Sequence, residues 1–388
     1  MNPAHMGLEA IEMNEPDVFI VDDNLFSPLG KTTAENFSKL KQGISAVKLH
    51  HNLKMSSQPF CASLFNEDEP YNSEPNYTKF EQLLIASIND ALLDSGINAD
   101  DKKTALIIST TKGNISLLET ETNSLELQKR IALPTSAKLI SEHFGFVNQP
   151  VIISNACISG VLAIITGMRL LRTGQYENAV IAGADVISKF ILSGFESFQA
   201  LSADICKPFD KFRDGLNLGE GASTIILSTN KKYYQNIKVK GGSVSNDANH
   251  ISGPSRTGRE LAYAIEKAMN DANVSPADID FISAHGTATA YNDEMEASAI
   301  TLAGLQSAPT NSLKGYYGHT LGAAGLIESI ISVQSLKENL VLPTLGFADM
   351  GVTNLPNICT KLLPGNFKNC LKTASGFGGC NAAVVFGR

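Results

Sequence analysis

Short apolar runs typical of β-strands alternate along this chain with longer stretches typical of α-helices. In the first half the strand patterns lie at residues 18–21, 105–109, 151–154, 179–182 and 224–227. In the second half a helix pattern covers about 258–272, a strand pattern 280–284, a helix pattern about 322–337, and strand patterns 368–374 and 382–386. This alternation predicts an α/β architecture, and its return in the second half predicts a chain of two similar halves.

Composition narrows the classes of function. A chain of 388 residues with 43% hydrophobic and 18% charged residues can bury a full core, and its net charge of -8 gives nucleic acid no basic surface to bind. Apolar runs fall short of the ~18 residues of a membrane span, and the N-terminus shows no secretory signal pattern. The six cysteines form no CxxC pair and no zinc-like Cys/His spacing, so we expect reduced thiols, a cytoplasmic location and no metal.

One cysteine stands where a strand pattern passes directly into a helix pattern. In the run VIISNACISGVLAIITGMRLLRTG, Cys157 ends the turn and a nearly all-apolar helix pattern follows. The unpaired N–H groups at a helix N-terminus carry about half a positive charge and favour a thiolate. A stabilisation of up to ~2 kcal/mol would lower the pKa of the thiol from ~8.5 toward ~7. A buried structural thiol is the alternative interpretation of a cysteine taken alone.

Two further runs place histidines and a lysine beside strand ends. In ISAHGTATAYNDEMEA, His285 directly follows a strand pattern, and strand carboxyl ends face the ligand crevice of α/β sheets. In NSLKGYYGHTLGAAGLIE, Lys314 and His319 lie among glycines, and the small residues 323–325 permit close helix packing. Either run alone fits a structural role as well.

Taken together, the thiol, the two imidazoles and the ammonium suit carbon–carbon bond formation on thioesters. Burial and a neighbouring ammonium both disfavour a charged imidazole, so we expect His285 and His319 to be neutral near pH 7. Neutral imidazoles can donate N–H bonds to a developing oxyanion, and each such donor is worth ~3 kcal/mol. The thiol of Cys157 would supply the covalent attachment point.

Five segments, in this order, resemble the signature blocks of the β-ketoacyl-[acyl-carrier-protein] synthases. They are NACISG (155–160), FQALSADICKPFDKFRDGLNLGEGA (198–222), HGTATAYND (285–293), NSLKGYYGHTLGAAG (311–325) and SGFGGCN (375–381). The resemblance implies a thiolase-like fold, with two βαβαβαββ-type halves in a five-layered α-β-α-β-α body that works as a dimer. It places the N-terminal half at 16–230 with the nucleophile and the C-terminal half at 231–388 with both histidines and the lysine, and it leaves residues 1–15 as an unplaced arm.

The resemblance also implies the roles of the catalytic residues. Cys157 matches the acyl-accepting nucleophile. His285 and His319 match the pair that assists malonyl decarboxylation and holds the enolate, and Lys314 matches the lysine that orients this group. The implied reaction is a decarboxylative condensation of malonyl carrier protein with a Cys-bound acyl group, in fatty-acid, polyene or polyketide synthesis, without a metal or redox cofactor.

Further positions match residues around the substrate. Thr287 and Thr289 match positions near the pantetheine arm, and Phe377 matches the gate between the acyl pocket and the malonyl side. Asp293 and Glu296 match supporting acidic residues behind the site.

The implied partners are an acyl carrier protein and a second copy of the chain, or a related synthase subunit in a heterodimer. Carrier proteins are acidic, so basic side chains are the candidate contacts, although each also fits an ordinary surface charge. These candidates are Lys207, Lys211, Arg213, Arg256 and Arg259.

The chain departs from the family pattern at three places, and two of them, Ser375 and a shortened loop, put the acyl-chain preference in doubt. Asn155 replaces the usual threonine before the Ala-Cys pair, Ser375 stands where an aromatic is common, and the loop between ALS and PFD is about six residues shorter than usual. Two alternatives stay open. A non-decarboxylating thiolase would need a second catalytic cysteine, for which Cys380 is the candidate, and a non-catalytic chain-length subunit would typically lack the nucleophile.

Overall fold

The computed structural model describes residues 15–66, 76–234 and 236–388. The arm expected at residues 1–15 lies outside the described residues except for Glu15. In the first half the strands are β1 (Phe19–Phe26), β2 (Lys48–His50), β3 (Phe60–Ser63), β4 (Thr104–Ser109), β5 (Val151–Ile153), β6 (Asn178–Asp185), β7 (Leu218–Gly219) and β8 (Gly221–Ser228). The helices of this half are α1 (Thr33–Lys41), α2 (Lys79–Leu93), α3 (Leu125–Ile131), α4 (Leu133–Phe144), α5 (Ser159–Arg172) and α6 (Lys189–Ser197).

The second half repeats the alternation. Its strands are β9 (Lys238–Asn246), β10 (Phe281–Ser283), β11 (Pro309–Asn311), β12 (Leu340–Val341), β13 (Asn357–Ile358), β14 (Leu363–Pro364), β15 (Asn369–Gly376) and β16 (Cys380–Gly387). Its helices are α7 (Arg259–Asp271), α8 (Ala290–Leu302), α9 (Lys314–Tyr317) and α10 (Ala324–Glu338). Every strand and helix pattern identified in the sequence corresponds to one of these elements.

Eleven strands of the described chain form one mixed sheet in the order β13-β11-β10-β15-β16-β9-β1-β8-β6-β4-β5. Five strands of each half follow the same order, because β5-β4-β6-β8-β1 and β11-β10-β15-β16-β9 both run third, second, fourth, fifth, first along the chain. The short β13 of the second half adds the eleventh strand beside β11. The strand directions also repeat. In each set of five, the first three strands in the sheet order are parallel to one another, and the two remaining pairs are antiparallel. The predicted fold of two similar βαβαβαββ halves is therefore confirmed, while the boundary at residue 230 stays a prediction.

Helices cover both faces of each half-sheet, and the buried faces of these helices explain the layering. The outer helix α7 buries one stripe, which includes Leu261, Ile265 and Ala268, as expected for a helix with one face in water. In contrast, α10 is buried almost all round, as expected for a helix enclosed between the two half-sheets. With α5 it forms the central layer, so the order of layers is α-β-α-β-α. Across the described ranges, no helix combines the length and the apolar character that crossing a membrane requires.

The two central helices cross at glycines. A Cβ atom added at Gly160 would overlap the backbone N of Leu326 and would lie 3.1 Å from the carbonyl O of Gly322. A Cβ added at Gly325 would lie 2.8 Å from the backbone N of Val161. Backbone approaches backbone here, which only glycine permits. The close helix packing predicted for residues 323–325 is confirmed.

We expect Gly160→Val to destabilise the protein by about 3 kcal/mol, because the added side chain must push α5 away from a backbone that cannot yield. A lowered urea midpoint of unfolding would show this. Gly194 of α6 has open space around it, so Gly194→Ala is the matched control and should stabilise by about 0.5–1 kcal/mol. Equal midpoints for the Gly160 variant and wild type would contradict the close packing.

Candidate active site

Cys157 lies in the turn between β5 and α5, two residues before the helix begins. The preceding residue, Ala156, has a φ of 44°, in the left-handed region that residues with a side chain rarely adopt. A Cβ added at Gly376 would lie 2.9 Å from the backbone N of Cys157, so the turn packs directly on the end of β15. The strained turn and its packing fix the direction in which the sulfur points.

The thiol of Cys157 is neutral in the resting site. Its enclosure by protein raises the pKa to about 12, and the positive charge of Lys314 acts in the opposite direction but more weakly. The prediction that the helix N-terminus lowers this pKa toward ~7 is therefore wrong. The sequence shows the helix start but not how far the sulfur is removed from water.

His285 and His319 face each other across the site. Their ring centroids are 5.3 Å apart at an interplanar angle of 82°, and both rings line the same cavity as Cys157, which has a volume of about 470 Å³. Burial, followed by the charge of Lys314, holds both pKa values well below 6.5. The prediction that both imidazoles are neutral near pH 7 is confirmed.

The backbone on either side of His319 is fixed by hydrogen bonds. Its N–H donates to the carbonyl O of Asn217 at 2.6 Å, and its carbonyl O accepts from the N–H of Gly219 at 3.0 Å. His285 is held by its own N–H, which donates to Glu296 Oε1 at 2.8 Å. The two imidazoles therefore project from anchored backbone.

Lys314 lies behind His285 rather than on the cavity wall. The side chain is fully buried, its Nζ donates to the carbonyl O of His285 at 3.0 Å, and it forms an ion pair with Glu328. The sequence placed Lys314 in one set with the thiol and the imidazoles, and the family resemblance implied that it orients them. The structure shows that it can reach the reaction only through His285 and through its charge.

The acidic pair behind the site holds the segment that follows His285. Glu296 accepts N–H bonds from His285 and Gly286, and Asp293 accepts from Thr287 at 2.9 Å. Asp293 is fully buried, which raises its pKa to about 7. Both carboxylates therefore lie where the sequence placed them, as supports rather than as cavity wall.

Thr287, Thr289 and Phe377 line the cavity with the catalytic candidates. The two hydroxyl oxygens of the threonines are 2.9 Å apart. The ring of Phe377 is 41% exposed and contacts Phe195 and Phe198, with centroids 6.0 and 5.5 Å away. An exposed aromatic ring at the cavity mouth is consistent with the predicted gate.

Known proteins match this chain along almost its whole length. The model of the β-ketoacyl synthase N-terminal domain matches residues 65–232, and the model of the C-terminal domain matches residues 237–348. The 3-oxoacyl-[acyl-carrier-protein] synthase 2 of Vibrio cholerae is 30% identical, with 97% of this chain and 100% of that protein aligned. This chain belongs to the β-ketoacyl synthase family. As a member of it, the protein is a condensing acyltransferase.

Further relatives agree with this assignment. The synthase 2 of Vibrio harveyi is 29% identical over 96% of this chain and 99% of that protein. The ishigamide ketosynthase/chain length factor has a TM-score of 0.88 and 25% identity, over 96% of this chain and 99% of that chain. A β-ketoacyl synthase from Burkholderia phymatum has the same fold, with a TM-score of 0.87, 24% identity and coverage of 96% and 99%.

Several residues of this synthase site were missed by sequence reasoning. Asp185, at the end of β6, accepts hydrogen bonds from Thr110, Thr111 and the N–H of Gly322, and thereby ties the loop after His319 to the first half. Glu328 and Lys372 lie beneath His285. The sequence could have indicated Asp185, because this acidic residue closely follows the strand pattern at 179–182. Glu328 and Lys372 offered none, because each is a single charge inside an element.

One departure from the synthase pattern, Ser375, has a simple local explanation. Ser375 lines the cavity and donates to Asn381 Oδ1 at 2.8 Å, so a polar pair fills the place of an aromatic ring. Cys380 is buried, lies 3.3 Å from the carbonyl O of Phe377, and is not among the residues that line the cavity. All six cysteines are unpaired, as predicted, and no group of three metal-ligating side chains occurs in the described part of the chain.

We expect the imidazoles of His285 and His319 to remain neutral at pH 6, where a free histidine with a pKa near ~6.5 is mostly charged. The ring nitrogen shifts of a ¹⁵N-histidine-labelled sample would show this, with free histidine in the same buffer as the reference. Protonation of either buried ring between pH 6 and 7 would contradict the assigned state.

Proposed function

We propose that this protein joins an acyl group carried on Cys157 to the two-carbon unit of malonyl carrier protein, with loss of carbon dioxide. The observation that carries the proposal is one cavity wall formed by a thiol and two neutral imidazoles, in a chain that matches the synthases from end to end. Catalytic roles for Cys157, His285, His319 and Lys314 are part of this proposal.

In the first step the acyl group moves between two sulfurs. The bond from the Cys157 sulfur to the acyl carbon forms, the bond from the carrier's sulfur to that carbon breaks, and the thiol proton of Cys157 ends on the departing carrier thiol. Either of the two neutral imidazoles in the same cavity can relay this proton, since one ring nitrogen of each is without a hydrogen-bond partner, so this step does not need both rings. Because burial keeps the resting thiol protonated, the proton must leave the sulfur as the sulfur attacks the thioester.

In the second step malonyl carrier protein takes the place of the first carrier. Its carbon–carbon bond breaks, carbon dioxide leaves, and the electron pair becomes an enolate on the remaining thioester. Two N–H donors, from His285 and His319, stabilise the enolate oxygen by ~3 kcal/mol each. The enolate carbon then attacks the acyl carbonyl and the bond to the Cys157 sulfur breaks. The sulfur takes up one proton from solvent, since the original thiol proton left with the first carrier. We propose that no metal or redox cofactor takes part.

The structure favours this function over the two alternatives. A thiolase needs a second cysteine in the cavity, and Cys380, whose Sγ lies 3.3 Å from the carbonyl O of Phe377, is not among the residues that line it. A non-catalytic chain-length subunit would lack the nucleophile, whereas Cys157 lies in the cavity beside both histidines. The relatives named above are synthases of acyl carrier protein substrates, which supports such a carrier as the partner here.

Among the basic residues suggested as carrier contacts, three are well exposed and two are not. Lys211, Arg256 and Arg259 are exposed. Arg213 lies inside the cavity wall and donates to the carbonyl O atoms of Asp210 and Gly351, so it supports the fold. The exposed residues remain the proposed contacts with an acidic carrier. The cytoplasmic location also stays a prediction.

We expect Cys157→Ala to abolish condensation and acyl loading while malonyl carrier protein is still decarboxylated, because the imidazole pair is intact. Mass spectrometry of the acyl-enzyme and assay of released carbon dioxide measure the two steps separately. Incubating wild type with a mixture of acyl carrier proteins identifies the preferred acyl group in the same spectra. Cys61→Ala, at a cysteine outside the cavity, is the matched control. Condensation by the Cys157 variant would overturn the mechanism.

The outer edge of β5 supports the proposed dimer. This strand ends the large sheet and pairs with β4 on one side, and its residues Val151, Ile152 and Ile153 are half-buried. An edge strand presents free N–H and C=O groups to a partner strand. A second copy pairing here would extend the sheet and brace the Cys157 turn that follows directly.

We therefore expect the purified chain alone to have twice its own mass in light scattering after gel filtration. A related subunit is the alternative partner, since two proteins of similar structure are a ketosynthase with a chain length factor. A monomer that becomes a dimer only after a second subunit is added would overturn the homodimer.

A further inference from the structure

Three charged side chains lie buried beneath His285. Lys314 and Lys372 are 0% exposed and Glu328 is 3% exposed. Glu328 lies between the two ammonium groups, with Lys314 paired to Oε1 and Lys372 Nζ 2.7 Å from Oε2. The cluster carries a net charge of one positive unit inside the protein.

The two ammonium groups hold the backbone where β10 ends. Lys372 Nζ lies 3.2 Å from the carbonyl O atoms of both Ser283 and Ala284, and Lys314 Nζ lies 3.0 Å from that of His285. The carbonyl O atoms of three consecutive residues therefore accept hydrogen bonds from lysine ammonium groups where the chain leaves the sheet. A buried carbonyl that loses its strand partner needs such a donor.

The position of Lys372 argues against a purely structural role. It stands inside β15, between the buried residues Leu371 and Thr373, and its register partner on β10 is Ser283. Burying an ion cluster costs several kcal/mol per ion, and apolar replacements of such clusters are often as stable or more so. The buried ammonium of Lys372 contacts the two residues that precede His285. Its position therefore indicates a role in placing the His285 imidazole.

We propose that Lys372 is a positioning residue for His285, which it holds through the carbonyls of residues 283 and 284 and through Glu328. It acts on the decarboxylation of malonyl carrier protein, the step that uses the imidazole pair, and leaves acyl transfer to Cys157 unaffected. This inference rests on the proposed function.

The charges around the imidazole support the same role. The groups that face His285 are Lys314, Lys372, His319 and the carboxylate of Glu296, which accepts its backbone N–H. Lys372 adds to the lowering of the pKa of both His285 and His319. Loss of its charge should therefore move these pKa values upward.

The test is Lys372→Met, which keeps the aliphatic stem and removes the ammonium. We expect kcat for malonyl decarboxylation to fall about tenfold to a hundredfold with KM within about twofold, because a displaced catalytic group loses rate rather than binding. Acyl loading of Cys157 should stay within about twofold of wild type. Lys368→Met, at an exposed lysine just before β15, is the matched control and should change neither step.

A second variant covers the case in which Lys372→Met fails to fold. Lys372→Gln removes the ammonium but keeps side-chain N–H groups that can donate to buried carbonyl O atoms, so it leaves fewer polar groups unpaired than methionine does. The loss confined to decarboxylation should persist in it. Wild-type decarboxylation in a folded variant, or an equal fall in both steps, would overturn the proposal.

A measurement that does not depend on turnover distinguishes the role of Lys372 from the proposed function. The ring signals of His285, assigned with His285→Gln, should shift in Lys372→Met and titrate at higher pH than in wild type. Absence of both steps in the wild-type protein would reject the proposed function, whereas an unchanged His285 titration would reject the role of Lys372.

Discussion

The contact between α5 and α10 at Gly160 and Gly325 is the constraint on which the site depends. Cys157 lies just before α5, and His319 lies just before the short turn that leads into α10. Because the two backbones touch at glycine, the ends of the helices meet, and so do the thiol and the imidazole that precede them. The helices occupy the same place in the two halves, so the repeat itself brings two different chemical groups to one cavity.

Removal of water, rather than a helix terminus, decides the charge states in this cavity. Burial is the first cause of the raised pKa of Cys157 and of the lowered pKa values of His285 and His319, and the lysine charge comes second. The same enclosure that makes the resting thiol a poor nucleophile keeps both imidazoles neutral. A decarboxylating enzyme needs these neutral donors more than it needs a standing thiolate, because the enolate develops its charge against them.

The sequence predicted most of the sheet strands and the central helices, and those cavity residues that lie in short motifs, such as Cys157, His285 and His319, because both depend on local patterns. It did not indicate β9, since the run KVKGGSVSN mixes charges with two glycines. Those glycines are needed because Cβ atoms at Gly241 and Gly242 would collide with the backbone of α7 and with Ile165 of α5. The pKa of Cys157 and the partners of Lys314 could not be predicted either, since both depend on burial and on contacts between distant segments.

The site also explains why the two halves cannot be separated. Cys157 and Asp185 come from the first half, His285, Lys314 and Lys372 from the second. Asp185 of the first half accepts the N–H of Gly322 in the second, so the loop that carries His319 is anchored across the boundary. The loop that carries His319 therefore has its anchored conformation only when both halves are packed together. The packing of α5 against α10 therefore joins the two halves and places the catalytic side chains at the same time.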